Sequence, residues 1–387
     1  MATIGIDVTA LATSASGGIG ASQWATMRAL ARAGSDHRFI MYSTATPLVP
    51  FTDKPLFLKW PVRIGTGLTT RSNIVWMQTG VNRMLAADEV DLFWSPRHLL
   101  PFRARGVATV ATVQDFWHLH FPEQQPPVNR ALNRLLIGRI MKRADHIVTT
   151  SQAVADDASG HYTIPRSRLT VVPLGVDPTV FRPLPGEEVA RVLDRYVPGA
   201  YLLALDVHNP RKNFPAILEA FAGLPEELRR SRHLIALGRP RASAEPTSPR
   251  ALAEKLGVAE QVVFAGDASL EDLVALYCGA EALLYPSVYE GFGMPVLEAM
   301  ACGCPVITAD RSSLPEVAGG AALLVDPTSA GALSDAIQTI AGDASLRGQL
   351  VQRGFERAAT LTWDATAAGM LAVFERVLAT RAGRGRA

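Results

Sequence analysis

The chain has 387 residues, which is too long for a single ordinary hydrophobic core and favours two domains of similar size. Hydrophobic residues make up 48% of it and charged residues 19%, a composition that excludes an intrinsically disordered protein. A formal net charge of +2 gives no support to a nucleic-acid-binding role.

The first half alternates short apolar runs with amphipathic segments, which predicts a parallel sheet covered by helices on both faces. The run Thr3–Val8 is predicted to be a buried strand and not a secretory signal, and no apolar run reaches the ~20 residues that span a bilayer, so we expect a cytoplasmic protein. Further strands are predicted at Phe39–Tyr42, Leu92–Trp94, Thr109–Thr112, His146–Thr149 and Leu169–Val172, and helices at Ala21–Ala33, Arg71–Ala87, Asn129–Arg143 and Ala153–Gly160.

A stretch rich in proline and glycine, from Pro173 to Gly186, breaks both periodicities and is predicted to link two domains. We therefore expect a first domain at 1–180 and a second at 186–362, with a final helix at 363–387 that packs back on the first. In the second half, strands are predicted at Tyr201–Leu205, His233–Leu237, Val262–Ala265, Ala282–Tyr285 and Val306–Thr308, and helices at Phe214–Ala222, Arg250–Leu256, Leu270–Tyr277, Pro295–Cys302 and Trp363–Thr380.

The sequence has three cysteines, so they cannot all pair with one another. Cys302 and Cys304 are too close in sequence for an easy disulfide, and reduced thiols are the simplest expectation. A metal site at this pair is disfavoured because no other cluster of Cys and His accompanies it.

A glycine-rich turn follows the predicted strand at Ala282–Tyr285. Gly291 and Gly293 allow backbone N–H groups to approach a ligand closely, and the helix that follows directs the positive end of its dipole toward the same place. Glu290 lies in this turn and Glu298 one helical turn further on. Two carboxylates placed in this way can bind one ligand at two points.

This segment resembles the donor-site signature of glycosyltransferase family 4. The resemblance is carried by the Glu290-x7-Glu298 spacing, by Gly-Phe-Gly-Met-Pro at 291–295 and by Glu-Ala-Met-Ala-Cys-Gly-Cys-Pro-Val at 298–306. It extends along nearly the whole chain, through Gly-Gly-Ile-Gly at 17–20, His-Asn-Pro-Arg-Lys-Asn at 208–213, Leu-Pro-Glu-Val at 314–317 and Leu-Val-Asp-Pro at 324–327. It implies an α/β protein with the GT-B fold, in which two Rossmann-like, doubly wound parallel-sheet domains face a cleft, and a retaining enzyme that uses a nucleotide-sugar co-substrate.

The resemblance also implies roles for individual residues. Glu290 would bind the donor sugar and stabilise developing positive charge, Glu298 would hold the ribose, and Arg211 with Lys212 would contact the diphosphate. No Asp-x-Asp element is present, so neither a metal nor another cofactor is expected. The donor-binding residues expected besides these are Gly18, Gly266, Leu270, Gly291, Phe292, Gly293 and Met294.

On the acceptor side the match is looser. The strand end at 109–113 is followed by Gln114 and Asp115, where the family usually has His-Asp. A glutamine donates and accepts hydrogen bonds but does not titrate, which excludes a general base at this position. Asp115, His118 and His120 are candidates for acceptor contacts, although a structural role is as good an interpretation of each.

A basic amphipathic helix is predicted at 129–143, and the tail carries Arg381, Arg384 and Arg386. Both features suit peripheral contact with an anionic membrane, as expected if the acceptor is lipid-linked, while a solvated basic face is the favoured alternative.

The leading interpretation is transfer of a hexose, of the mannose, glucose or deoxyhexose type, from a GDP- or UDP-sugar to a polysaccharide or lipid-linked glycan. A nucleotide-sugar 2-epimerase shares this architecture but needs titratable groups facing the sugar, and Gln114 removes the most obvious one. A non-catalytic protein that binds sugar nucleotides is the other alternative.

Overall fold

The computed structural model describes residues 1–13, 18–48, 59–66, 70, 72–102, 104, 106–124, 136–197, 199–240 and 248–384. The chain forms two compact units: Met1–Gly175 together with Trp363–Ala387, and Val176–Thr362.

The first unit is built on a seven-stranded sheet in which every neighbouring pair is parallel. The strand order is β3-β2-β1-β4-β5-β6-β7. The strands are nearly continuous apolar runs, as expected for a sheet covered on both faces. Their bounds are β1 Thr3–Asp7, β2 Arg38–Ser43, β3 Val62–Ile64, β4 Leu92–Ser95, β5 Ala108–Val113, β6 His146–Thr149 and β7 Leu169–Val171.

Helices cover this sheet and enclose its core. The described α-helices are Thr9–Thr13, Gly18–Ala33, Asn73–Val75, Val81–Ala87, Trp117–His120, 136–143, Gln152–Tyr162 and Trp363–Arg384, with a π-helical turn at Trp76–Gly80. The last helix packs on Gly18–Ala33, where Arg32 pairs with Asp364 at 2.8 Å, and its Phe374 ring lies 5.7 Å from that of Trp94. Residues 363–384 therefore contribute to the core of the first unit.

The second unit has a six-stranded parallel sheet in the order β10-β9-β8-β11-β12-β13. The strands are β8 Ala200–Ala204, β9 Arg232–Leu237, β10 Val262–Gly266, β11 Ala282–Tyr285, β12 Val306–Ala309 and β13 Leu323–Val325. The helices are Gly186–Leu193, Phe214–Ala222, Glu226–Arg230, Pro249–Lys255, Leu270–Gly279, Met294–Ala301, Leu314–Ala318, Ala330–Gly342 and Ala344–Thr360.

Both sheets reverse their strand order at one point, between β1 and β4 in the first unit and between β8 and β11 in the second. Chain segments that leave the carboxyl ends of two such strands turn to opposite faces of the sheet. The crevice left between them is the usual ligand site of an open α/β sheet. The residues after β8 and β11 therefore lie where a ligand is expected to bind in the second unit.

Most of the predicted elements are present, with bounds that match or differ by at most four residues. The helix predicted from Ala21 begins three residues earlier, at Gly18. The predicted helix from Arg71 to Ala87 is interrupted by the π-helical turn. Gly17, Arg71, residues 129–135 and Arg386 lie outside the described residues. In the described part of the chain, no helix is both long and apolar enough to cross a membrane.

Candidate functional site

The turn after β11 holds Glu290 in a fixed position. Glu290 is buried, with 8% of its surface exposed. Its backbone N–H donates to the Ser312 hydroxyl at 3.1 Å, and the Ser313 hydroxyl donates to the carbonyls of Glu290 and Phe292 at 2.9 and 2.8 Å. The two serines follow β12, so the neighbouring strand end anchors the turn.

Gly293 completes this turn and precedes the helix Met294–Ala301. Its φ is 105°, a left-handed conformation that glycine adopts without steric cost. A Cβ here would also lie 2.7 Å from the Leu314 side chain. Pro295 occupies the second helical position, where its missing N–H costs nothing. The turn therefore presents the amino end of this helix beside Glu290.

The turn after β8 carries the basic pair. Pro210–Lys212 forms a 3-10 turn in which the Asn209 side chain accepts from the Arg211 N–H at 3.3 Å. Asn213 then takes the left-handed conformation, with a φ of 56°, and the helix Phe214–Ala222 begins. The Arg211 carbonyl accepts from the Val288 N–H at 2.9 Å. This bond joins the turns that follow β8 and β11.

Lys212 and Glu290 form a buried ion pair. The Lys212 Nζ lies 2.6 Å from Glu290 Oε1, and only 12% and 11% of the two side chains is exposed. Lys212 also donates to the Tyr285 hydroxyl, which donates to Glu290 Oε1 at 3.1 Å. Burial opposes ionisation of Glu290, but the charge and hydrogen bond of Lys212, with the charge of Arg211, outweigh it and lower the pKa of Glu290. Glu290 is therefore a carboxylate at neutral pH.

Glu298 lies on the helix that follows and has a different environment. Its neighbours Val296 and Leu297 are fully buried, while Glu298 itself is half-buried and accepts from the Tyr277 hydroxyl at 3.1 Å. Burial raises the pKa of Glu298 to about 7, although the Tyr277 hydrogen bond and the Lys212 charge partly oppose this. The pKa values of the two carboxyl groups are thus shifted in opposite directions, a pattern typical of groups with different roles.

Gly266 and Leu270 border the end of β10 in the same unit. Gly266 has a φ of 67°, and its carbonyl accepts from the Gly238 N–H at 2.7 Å. Leu270 begins the helix Leu270–Gly279 and is 55% exposed, which is unusual for a large apolar side chain. It lines a cavity of about 480 Å³ together with Arg182 and Arg191.

In the first unit, Gly18 starts the helix Gly18–Ala33. The Gln114 side-chain amide donates to the Ser22 hydroxyl of that helix at 2.8 Å. Asp115 accepts from the Trp117 N–H at 3.3 Å. His118 is buried, its Nε2 lies 2.8 Å from the Tyr162 hydroxyl, and burial lowers its pKa to about 4. His118 is therefore neutral and packed in the core.

The first unit also has a polar cluster that the sequence did not reveal. At the point where β1 and β4 diverge, buried Asp7 lies 3.4 Å from Arg97 and 3.3 Å from the Ser95 hydroxyl, and it accepts from the Thr9 hydroxyl at 2.6 Å. The Arg97 Nε is buried without a partner among the described residues. The only sequence signal was position, since Asp7 and Ser95 are the last residues of their strands.

Sequence reasoning also missed Tyr285 and Tyr277, which contact Glu290 and Glu298. Both look like ordinary core aromatics in the sequence, because one ends an apolar strand and the other lies in an amphipathic helix. Their hydroxyls are buried, and burial together with the adjacent carboxylates raises the pKa of both tyrosines. Each phenol therefore stays protonated and donates.

Comparison with solved structures identifies the fold. Sucrose-phosphate synthase from Thermosynechococcus elongatus superposes with a TM-score of 0.78 at 21% identity, covering 98% of this chain and 100% of that one. HepE from Anabaena, solved in complex with UDP-glucose, superposes with a TM-score of 0.76 at 16% identity over 97% and 100% of the two chains. The two parallel-sheet units thus have the GT-B fold.

Family comparison identifies the enzyme class. Residues 16–180 match the model "Glycosyltransferase Family 4", and residues 187–357 match "Glycosyl transferases group 1". The O-antigen chain mannosyltransferase B of Escherichia coli is 30% identical over 275 residues, which are 70% of this chain and 71% of that protein. This chain belongs to glycosyltransferase family 4, and it is a glycosyltransferase of that retaining family.

Proposed function

We propose that the protein transfers a hexose, with retention of configuration, from a GDP- or UDP-sugar to a polysaccharide or lipid-linked glycan. The observation that carries this proposal is the buried Lys212–Glu290 pair beside Arg211, at the point where β8 and β11 diverge. Mannose is the favoured sugar because the Escherichia coli relative is a mannosyltransferase. HepE, which shares the fold, binds UDP-glucose, and this supports a nucleotide-sugar donor.

Arg211 and Lys212 receive the diphosphate in this proposal. Negative charge gathers on the leaving nucleoside diphosphate as the bond to the sugar breaks, and preorganised positive groups stabilise it most when water is excluded. The backbone amides of Gly291, Phe292, Gly293 and Met294, at the amino end of the helix, add further donors for phosphate oxygens. Gly18 begins a helix in the first unit and is proposed to act in the same way.

Glu290 acts on the sugar. Its carboxylate accepts hydrogen bonds from sugar hydroxyls and stabilises positive charge that develops at the anomeric carbon. Substitution at the anomeric carbon takes place on one face of the sugar. The bond to the phosphate oxygen breaks, the bond to the acceptor oxygen forms, and the acceptor proton passes to the departing phosphate. No protein base is needed for this step, which agrees with a glutamine at position 114.

Glu298 holds the ribose, and the nucleobase lies near Gly266 and Leu270. A half-buried carboxylate can accept from two adjacent ribose hydroxyls. Leu270 offers an exposed apolar side chain on which a flat base can pack. On the acceptor side, Gln114 and Asp115 are the proposed contacts, while His118 has no titratable role because it is buried and neutral.

Contact with an anionic membrane is a further part of the proposal. The first unit has a cavity of about 510 Å³ whose lining includes apolar Leu100, Phe102 and Ile140 and charged Arg143, Asp145 and Arg381. The Arg143 guanidinium lies 5.4 Å from the centre of the Phe102 ring. Flotation with anionic liposomes, compared with neutral ones, tests this contact on the cytoplasmic face, and equal recovery with both kinds of vesicle would contradict it.

A thermal-shift panel of nucleoside diphosphates and sugar nucleotides, with and without EDTA, tests the donor assignment. The preferred nucleotide should raise the melting temperature by mass action, and EDTA should leave that shift unchanged. Transfer products from the best donor are then examined by NMR for the anomeric configuration. A donor shift that depends wholly on a divalent ion, or an isomerised sugar nucleotide formed without acceptor, would contradict the proposal.

A further inference from the structure

Three side chains in the first unit converge outside the donor site. His120 ends the short helix that follows β5, and Asp157 and His161 lie one turn apart on the helix Gln152–Tyr162 that follows β6. The ligand atoms of the three residues all lie within 4.8 Å of one another. Among the residues that the structure describes, this is the one group of three or more His, Cys, Asp or Glu side chains placed to share a metal ion.

Asp157 lies between the two imidazoles. Its Oδ2 is 2.9 Å from the His120 Nε2, and its Oδ1 is 3.9 Å from the His161 Nε2. The two rings are nearly perpendicular, with their centres 6.1 Å apart. Side-chain exposure is 17% for Asp157, 34% for His120 and 52% for His161, so the carboxylate forms the floor and the outer side remains open to water.

We propose that His120, Asp157 and His161 bind a divalent transition-metal ion, and that Zn²⁺ is the ion that suits them best. Zinc prefers imidazole nitrogen and carboxylate oxygen at about 2.0–2.2 Å, and a tetrahedral site of that size separates its donor atoms by about 3.4 Å. The widest donor separation, at most 4.8 Å, therefore has to close by about 1.4 Å, and the 2.9 Å contact between His120 and Asp157 has to open by about 0.5 Å. Rotation of the exposed side chains supplies both changes. The fourth position is filled by water.

The spacing on the helix favours this assignment. Residues four apart on an α-helix lie on one face, so Asp157 and His161 present their donors in the same direction. Neighbouring Asp156 is engaged elsewhere, because its Oδ1 accepts from Gln152 at 2.9 Å and pairs with Arg166. The third donor comes from a different segment, so an ion here links the chain after β5 to the helix after β6.

This link has a consequence for the acceptor side of the enzyme. The segment 114–120 carries Gln114, Asp115 and His118 before it reaches His120. An ion bound at its end fixes this segment to the helix Gln152–Tyr162, which also holds His118 through Tyr162. The proposed ion positions the acceptor segment and takes no part in donor chemistry.

Metal binding to the full chain tests the proposal. The protein is stripped with EDTA, transferred to metal-free buffer and titrated with Co²⁺ and Zn²⁺, with visible absorption and calorimetry as readouts. One ion per chain is expected, with ligand-field bands and no thiolate charge-transfer band, and zinc should raise the melting temperature.

The variants decide where the ion binds. His161→Ala and Asp157→Asn should each weaken binding by about 100-fold or more, since loss of an inner ligand costs at least as much as loss of an outer-shell partner. His37→Ala is the matched control, because His37 precedes β2, which β1 and β4 separate from β5 in the sheet. Cys278→Ser controls for binding by thiols. Both controls should bind as tightly as the unmodified chain.

The result that overturns the proposal is absence of stoichiometric binding, or binding that survives His161→Ala and Asp157→Asn, whether or not Cys278→Ser abolishes it. Melting curves in metal-free buffer verify that each variant folds, and His161 is the safer site because it is the most exposed of the three. Nucleotide binding should be unchanged in His161→Ala, so this outcome is independent of the donor assignment.

Discussion

Two buried ion pairs lie at opposite ends of the strands in the second sheet. Lys212 and Glu290 follow the carboxyl ends of β8 and β11 and are 2.6 Å apart, while Arg232 and Glu281 lie at the amino ends of β9 and β11 and are 2.5 Å apart. All four side chains are 11–15% exposed. Their contributions to stability should be similar, because each pair leaves an uncompensated buried charge when one partner is removed.

What separates the two pairs is their surroundings. The Lys212–Glu290 pair lies at the carboxyl ends of the strands, beside Arg211, the turn held by Ser312 and Ser313, and the amino end of a helix. The Arg232–Glu281 pair lies at the amino ends of the strands. There the Arg232 guanidinium donates hydrogen bonds to both carboxylate oxygens of Glu281. A buried ion pair alone is therefore not evidence of a functional site. Matched variants in the two pairs can separate effects on stability from effects on catalysis.

The largest effect is expected from Lys212→Met. This change removes positive charge from the proposed diphosphate site and leaves Glu290 buried without its partner. Turnover should fall by about 10²–10³-fold, the range typical of losing a group that stabilises developing negative charge. Arg232→Met should cost a similar free energy of unfolding, about 3 kcal/mol, and leave turnover per folded molecule unchanged. Equal losses of activity in the two variants would contradict the view that only the Lys212–Glu290 pair affects turnover. Chemical denaturation and donor-turnover assays provide the two readouts.

Glu290→Gln should lower kcat by about 100-fold while donor affinity changes little, because the carboxylate is proposed to act mainly as charge develops in the transition state. Its matched control is Glu281→Gln, which neutralises the carboxylate at the other end of the strands. Initial rates over a range of donor concentrations separate kcat from KM. A large rise in KM with unchanged kcat would assign Glu290 to ground-state binding instead.

Glu298 provides a smaller, pH-dependent effect in the same unit. Its pKa of about 7 means that the carboxylate proposed to hold the ribose is formed only as pH rises, so nucleoside diphosphate affinity should increase from pH 6 to pH 8, by at most about tenfold per pH unit below the pKa. Glu298→Gln should flatten this profile, and calorimetry at several pH values measures it. Titration of the ligand's own phosphate is common to both proteins and cancels in the comparison.

The same pKa predicts a change in stability. Because the folded-state pKa of Glu298 lies above the ordinary value of 4.5, the folded protein binds the proton more tightly than the unfolded chain, and stability falls as pH rises from about 4.5 to about 7. Glu298→Gln removes that loss. The variant should therefore melt at a higher temperature than the unmodified chain at pH 8, and the difference should vanish near pH 4.

The smallest effect is expected from Gln114→His, which restores the residue usual in the family. Gln114 already donates to Ser22 at 2.8 Å, and no step of the proposed reaction needs a base there. The kcat should change by no more than about threefold, within the ~1 kcal/mol of a single neutral hydrogen bond. A new acidic limb in the pH–rate profile with a much larger kcat would show that the first unit takes part in proton transfer.

The fold class followed from the alternation of apolar runs, but several elements did not. Strands β3 and β13 have three residues each and are only partly buried, so they carry too few apolar positions to reveal a period. Gly186–Leu193 lies directly after the proline-rich linker, and no residue in it is buried. Short or exposed elements depend on tertiary contacts that local patterns do not contain.

The sequence predicted the residues of the candidate site but not the contacts between them. Glu290, Glu298, Arg211 and Lys212 stand in motifs, and strand order brings their segments together. The sequence offered no hint that Lys212 would pair with Glu290, because the two residues are 78 positions apart. Their roles in donor binding remain predictions until the variants are measured.

The helix Trp363–Arg384 has a consequence for biosynthesis. It contributes Ala367, Met370, Val373 and Phe374 to the buried interior of the first unit, yet it is translated after the whole of Val176–Thr362. The first unit therefore stays incomplete on the ribosome until its last helix emerges, whereas the second is one continuous segment able to fold earlier. The unit that begins synthesis first is therefore the last that can be completed, and a nascent chain stalled before residue 363 would expose the apolar surface that this helix covers.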